Sequence, residues 1–364
     1  MTNPTRPFAV LALSAATLLA QGDPVSPPHF TAVESGTSNP NPLGVTDQLA
    51  RYLQIHEDLP ATPLLVRGIA FRRNADASSH APFDLELEMR MSVPLTTAAA
   101  PSATFADNHN LRSSAVVVRR RVVNFPAGDR TSILPRPFDY AFPFDVPFTV
   151  QGRAVWEMSI HSRTNPALIL FDSIRPGSGE GNPLPSVLVY GQGCVATGRT
   201  GPLSVNGGAI FDWPNGGGRM AFGASNGPSN AIAVAAIGFD NQSWAGIPLP
   251  FEIPNSSLGA SDSCWVWNDL FTTFAGSTNA TGVYSSPLVA LPLDPAHHGV
   301  TLHHHVLCFD AAANPFGLVS SNAMARQIVA PYPTPAVSLV GVRGSLGAVG
   351  IVNTGGGLVT QFRL

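Results

Sequence analysis

The chain contains no lysine: all 20 of its cationic side chains are arginines. Charged residues of both signs make up only 12% of its 364 residues, about half the average share, and the net charge is −3. No broad basic field is present, which argues against a nucleic-acid partner or an anionic membrane surface. The one basic run, Arg119–Arg121, lies inside AVVVRRRVVNF. In a strand its side chains alternate faces, so they form no single patch, and the segment reads as a solvated edge strand. Cysteine is scarce as well. Three residues suit an exported chain with one disulfide and one spare thiol. Amphipathic helices of ordinary length are missing. So are an HExxH motif and a Gly-x-Ser-x-Gly turn between strand and helix. The GGG runs at 216–218 and 355–357 lack the strand-to-helix setting that phosphate binding needs.

What remains is apolar and rich in turns. Apolar residues reach 44%, and glycine and proline number 34 each. The length suggests two domains. Residues 1–20 read as a signal peptide: Arg6, then the apolar run PFAVLALSAATLLA, then Ala20-Gln21 as cleavage point. That run is too short to span a bilayer, so the mature protein is expected to be exported without a transmembrane segment. A polar leader (21–45), an N-terminal β domain (46–175), a linker (176–190) around RPGSGEGNPLP and a C-terminal β domain (191–364) with extra late strands follow. FDLELEMRMSV alternates strictly: Asp84, Glu86, Glu88 and Arg90 on one face, Leu85, Leu87, Met89 and Met91 on the other. AVWEMSIHS repeats this, with Trp156, Met158 and Ile160 inward. Short strands between Pro/Gly turns predict an all-β fold: two antiparallel β-sandwich, jelly-roll-like domains in tandem.

Both halves resemble known domains. GQGC (191–194), AAIGFDNQSWAGIPLPFEI (235–253), Cys264 and DAAANPFGLVSSNAMARQI (310–328) are similar to a β domain common in exported proteins of planctomycetes and related bacteria. The likeness covers about residues 191–329. The expected disulfide joins Cys194 to Cys264, leaving Cys308. The first half, through RYLQIHEDL, LLVRGIAFRR and SATFADNHN, resembles a β domain of PEP-CTERM-type exported proteins, although this chain ends in VTQFRL without that sorting signal. Both resemblances imply export and a β fold; neither implies a catalytic activity.

Five of the ten histidines crowd into LDPAHHGVTLHHHVLCFD (293–310). On a strand, His303 and His305 share one face, while His304 and Cys308 share the other. Residues two apart lie roughly 6.5 Å apart along a strand, so two imidazoles can converge on zinc or copper. His297 or His298 would supply the third ligand if the turn at Gly299 folds them back. The competing reading is an edge strand with partly exposed histidines. In the resembling domain the position of His305 usually carries glutamine, which favours that reading. Cys308 beside a histidine reads as a buried free thiol rather than a nucleophile. Glu86 and Glu88 have the spacing of a carboxylate pair, but the charged ladder around them makes a solvated face the simpler account. The turns FDNQSWAG (239–246) and FADNHN (105–110) offer oxygens for calcium without the spacing of an EF-hand loop. Trp265 and Trp267 share one strand face and read as core or as a sugar-stacking platform.

The leading expectation is a secreted, non-catalytic binding or structural protein of the bacterial cell exterior, with extracellular polysaccharide or envelope proteins as partners. The alternatives are a carbohydrate- or metal-binding module, and a hydrolase on an unrecognised β scaffold.

Overall fold

The computed structural model describes residues 22–75, 77–128, 133–164, 168–174, 186–213, 217–253, 264–331 and 336–364. The segment expected to be a signal peptide (1–20) and residues 176–185 of the expected linker lie outside them. The described chain is all β, built from antiparallel sheets, with helical structure limited to short 3-10 turns such as Pro28–Phe30, Phe105–Asn108 and Pro295–His297.

The alternating segment forms the strand Phe83–Ser92, with Leu85, Leu87, Met89 and Met91 fully buried. It lies between Ala154–Arg163 and Ala115–Phe125. The whole sheet runs Ile351–Thr354, Val337–Arg343, Ala50–His56, Ala154–Arg163, Phe83–Ser92, Ala115–Phe125. A second sheet runs Val25–Ser26, Thr360–Arg363, Leu64–Phe71, Tyr140–Val150. The two share one core in which Tyr52, Phe71, Phe142, Trp156 and Phe362 are buried. Burying aromatic side chains of this size is the main apolar stabilisation of such a layer pair. Arg119–Arg121 sit on the edge strand, where Arg120 pairs with Glu86 and Arg121 with Asp145. Charge on an edge strand opposes sheet-to-sheet association.

In the second half, one sheet runs Ser186–Tyr190, Ala323–Gln327, Thr301–Phe309, Ile232–Gly238, Thr272–Ser277, with Leu318–Ser320 also paired to Thr301–Phe309. A smaller sheet pairs Ser204–Asp212 with Gly217–Ser225, which also carries Tyr284–Ser285 and Val289–Pro292. Phe222, Tyr284, Val306 and Cys308 contribute to its core. Cys194 and Cys264 form a disulfide with Cα atoms 5.2 Å apart, and Cys308 is free and buried.

Three segments differ from expectation. The polar leader is folded in: Phe30, Val33, Leu43 and Val45 are fully buried, since its few apolar residues have cores to enter. Residues 186–190, expected in the linker, form a strand paired in register with Ala323–Gln327. The late strands, expected in the C-terminal domain, pair with the first half. Val337–Arg343 joins Ala50–His56, and Thr360–Arg363 lies between Val25–Ser26 and Leu64–Phe71. Backbone N–H and C=O groups along Ala50–His56 and Leu64–Phe71 need partners on both sides, and these strands supply them. The second half is thus an insertion between strands of the first. Val25, Phe30, Val33, Ile174, Val329 and Val337 pack at the seam, where the Glu34 N–H donates to Gln327 Oε1 at 3.0 Å.

Candidate functional site

The histidine strand Thr301–Phe309 is central, with Ile232–Gly238 on one side and Ala323–Gln327 on the other. It is not an edge strand, and His303, His304 and His305 are all buried. His303 and His305 do point to the same side, but to different partners. The Tyr190 hydroxyl lies 2.9 Å from His303 Nδ1. His305 Nδ1 lies 2.7 Å from Asn268 Oδ1, and Asn268 Nδ2 donates to the Asp269 carbonyl. The amide orientation therefore makes Nδ1 of His305 the protonated nitrogen and leaves Nε2 as a bare acceptor. His304 points into the core against the Phe222 ring, 5.0 Å between centroids. Neither of its nitrogens meets a partner in hydrogen-bond geometry, although the Asn206 backbone is near. Burial pushes His303 down to about 4, partly offset by Asp269 and Asp240, and pushes His304 and His305 down to about 3. All three are neutral at physiological pH.

His297 and His298 do not join them. His298 Nδ1 accepts from the Ala330 N–H at 3.2 Å and packs on His29 at 4.2 Å, at the seam with the first half. The turn at Gly299 thus leaves His298 against Ala330 rather than back over the strand. Among the described residues no group of three or more His, Cys, Asp or Glu is arranged to hold a metal ion. The two turns considered for calcium use their oxygens locally. Asp240 accepts from the Gln242 N–H and the Ser243 hydroxyl, and Asn108 Oδ1 accepts from the Ser102 N–H and the Thr96 hydroxyl.

The tryptophans are placed differently. Along Cys264–Val266 and beyond, Cys264, Val266 and Asn268 are buried, while Trp265 and Trp267 are half-buried on the other face. Their ring centroids are 6.1 Å apart with planes tilted by 40°. Trp267 meets Tyr190 edge-on at 6.2 Å. Its indole rests on Gly191: a Cβ there would stand 2.6 Å from the ring, and φ is +72°. Only glycine fits that backbone and that contact. Carboxylates border the indoles. Glu252, exposed, is the cross-strand neighbour of Trp265. Asp240 and Asp269 bracket the other end, each N–H donating to the partner residue's oxygen at 2.9 Å. The turn donors of Gln242 and Ser243 hold the Asp240 carboxyl below its usual range, so it is ionised. Phe239 and Phe271, both exposed, form an edge-to-face pair 4.9 Å apart just beyond. Tyr190 falls within the stretch whose composition predicts a linker, and nothing in the spacing of Asp269 marks it.

A Ser–His–Asp cluster also occurs, in the first half. Ser26 Oγ lies 2.6 Å from His56 Nδ1 and 2.5 Å from Asp58 Oδ1. Its order is not that of a catalytic triad. The Trp156 N–H donates to His56 Nε2 at 3.0 Å, so His56 Nδ1–H donates to Ser26 and the Ser26 hydroxyl donates to Asp58. The serine is a relay in a buried chain, its hydrogen held by a carboxylate rather than by the imidazole. Burial pushes His56 down to about 3.

Compared with family models and with curated proteins, the chain matches none.

Proposed function

We propose that this protein is an exported, non-catalytic binding protein that holds a polysaccharide on the ledge formed by Trp265 and Trp267. The observation that carries this reading is the pair of adjacent, half-buried indoles with the exposed Glu252 beside Trp265. Aromatic faces stack against the C–H faces of sugar rings, and carboxylates accept hydrogen bonds from sugar hydroxyls. Two large side chains that alternate along a strand usually complete a core. Here Cys264 and Val266 do that, and the indoles stay half-buried on the other face, Trp267 packed on Tyr190. The likeness to β domains of exported proteins supports a place at the cell exterior, and the N-terminal apolar segment supports export.

The test is a panel of soluble and insoluble polysaccharides with the purified chain, Trp265→Ala and Trp267→Ala. Each substitution is expected to weaken binding by tenfold or more, about 1.4 kcal/mol, with little change in melting temperature for Trp265→Ala. A panel without binding, or binding unchanged in both variants, would overturn the reading.

A further inference from the structure

An open cleft of about 520 Å³ lies on the first half, lined by residues other than those of the ledge. Its floor is the sheet face where Tyr52, Gly341 and Ile351 stand side by side across three strands. Leu339 and Arg343 flank Gly341 along its own strand. Glycine inside a strand weakens it, and often marks the close approach of another backbone or a ligand. Neither local reason applies at Gly341. Its φ is not positive. A Cβ there would meet Tyr52 Cδ2 at 3.5 Å and Leu339 Cδ1 at 3.9 Å, which is ordinary contact. What the bare position does is keep the cleft open.

The lining sets the chemistry of an occupant. Ile351 is 74% exposed at the cleft, a large apolar side chain without cover. Both arginines of the lining are paired, Arg343 with Asp47 (Nη2 to Oδ2 at 2.5 Å) and Arg51 with Glu157 (Nε to Oε1 at 2.9 Å), so neither offers a free charge to an ion. The volume falls in the range of small-molecule sites, roughly 300–1,000 Å³. We infer that this cleft binds a neutral, largely apolar small molecule.

The experiment titrates the full chain with the neutral dye Nile red and displaces it with 1-decanol or decanoate. Saturable binding at one site is expected, displaced at lower concentration by the alcohol than by the carboxylate. Gly341→Leu fills the floor and is expected to weaken dye binding at least tenfold. Ile351→Glu, at a solvent-facing position, gives the same loss if Gly341→Leu proves unfolded. Phe309→Glu alters a separate apolar groove on the second half and is expected to leave binding unchanged. Unaltered binding in a folded Gly341→Leu and in Ile351→Glu, loss in Phe309→Glu, or preferential displacement by decanoate would each overturn the assignment.

Discussion

Removing the Cys194–Cys264 disulfide tests how the second half supports the tryptophan ledge. The bridge closes a loop of 70 residues. In the chain-entropy model that loop is worth about 4 kcal/mol. Both sulfurs are buried, so substitution is cleaner than reduction. Cys194→Ser with Cys264→Ser keeps the volume, and a serine at 194 finds an acceptor, because Cys194 Sγ already lies 3.2 Å from the Ser320 carbonyl oxygen. Cys308 will not confuse the result: burial and Asp310 push its thiol up to about 12, so it does not exchange at neutral pH. For a unit of this size the loss corresponds to a fall in melting temperature of roughly 10–15 °C. Calorimetry would measure it, with tryptophan fluorescence reporting the ledge, since Trp265 follows Cys264 directly and Trp267 rests on Gly191. A fall below about 2 °C, with both substitutions verified by mass, would refute the loop argument. It would mean that the inserted half is held by its packing and seam alone.

Other outcomes follow from the same geometry. His304→Leu removes a buried ring with two unpartnered nitrogens and is expected to stabilise by about 1–2 kcal/mol, read by denaturant titration. Asp172→Ala leaves Arg72 buried without its carboxylate, in a pair where both side chains are 0% exposed, and should cost about 3–5 kcal/mol by the same measurement. Acid should destabilise the fold. His56, His303, His304 and His305 have folded values of about 3 to 4, below the unfolded value near 6.5, so the unfolded chain binds more protons between those limits. Their contribution is complete above pH 6.5 and is lost as pH falls through that window. Glu34, Asp58, Asp139 and Asp172 act the other way, because burial raises their carboxyls, but His29 and His298 are lowered as well, so six rings oppose four acids. A melting temperature that rises between pH 7 and pH 5 would contradict this sign.

Local patterns in the sequence were legible where one residue's neighbours decide its fate. The alternation in Phe83–Ser92 places Leu85 and Glu86 on opposite faces whatever lies beyond, and the structure keeps that division. Partners across long separations were not legible. TLHHHVLCF carries the same parity on an edge or in the middle of a sheet. Only the pairing with Ile232–Gly238 and Ala323–Gln327 buries the histidines and turns them into neutral core. Glu157 shows the same limit. Its parity faces it outward from the main core, yet it is buried, because His109 and Arg51 close over it and hold its carboxyl below the usual range. The tail strands read as late additions because nothing in VSLVGVR announces Ala50–His56 as its neighbour.

The insertion of one half into the other has a consequence for the order of events during synthesis. Leu64–Phe71 and Ala50–His56 emerge early, but the strands that satisfy their outer backbone groups, Thr360–Arg363 and Val337–Arg343, are made only after the whole inserted half. Until then the first half presents two long unpaired apolar edges, the kind of surface that joins to other chains. A chain built this way depends on being kept unfolded, or shielded, until its last strands are available. Cutting it between residues 331 and 336 would take Val337–Arg343 and Ile351–Thr354 from one end of the first sheet and Thr360–Arg363 from inside the second, rather than trimming a tail.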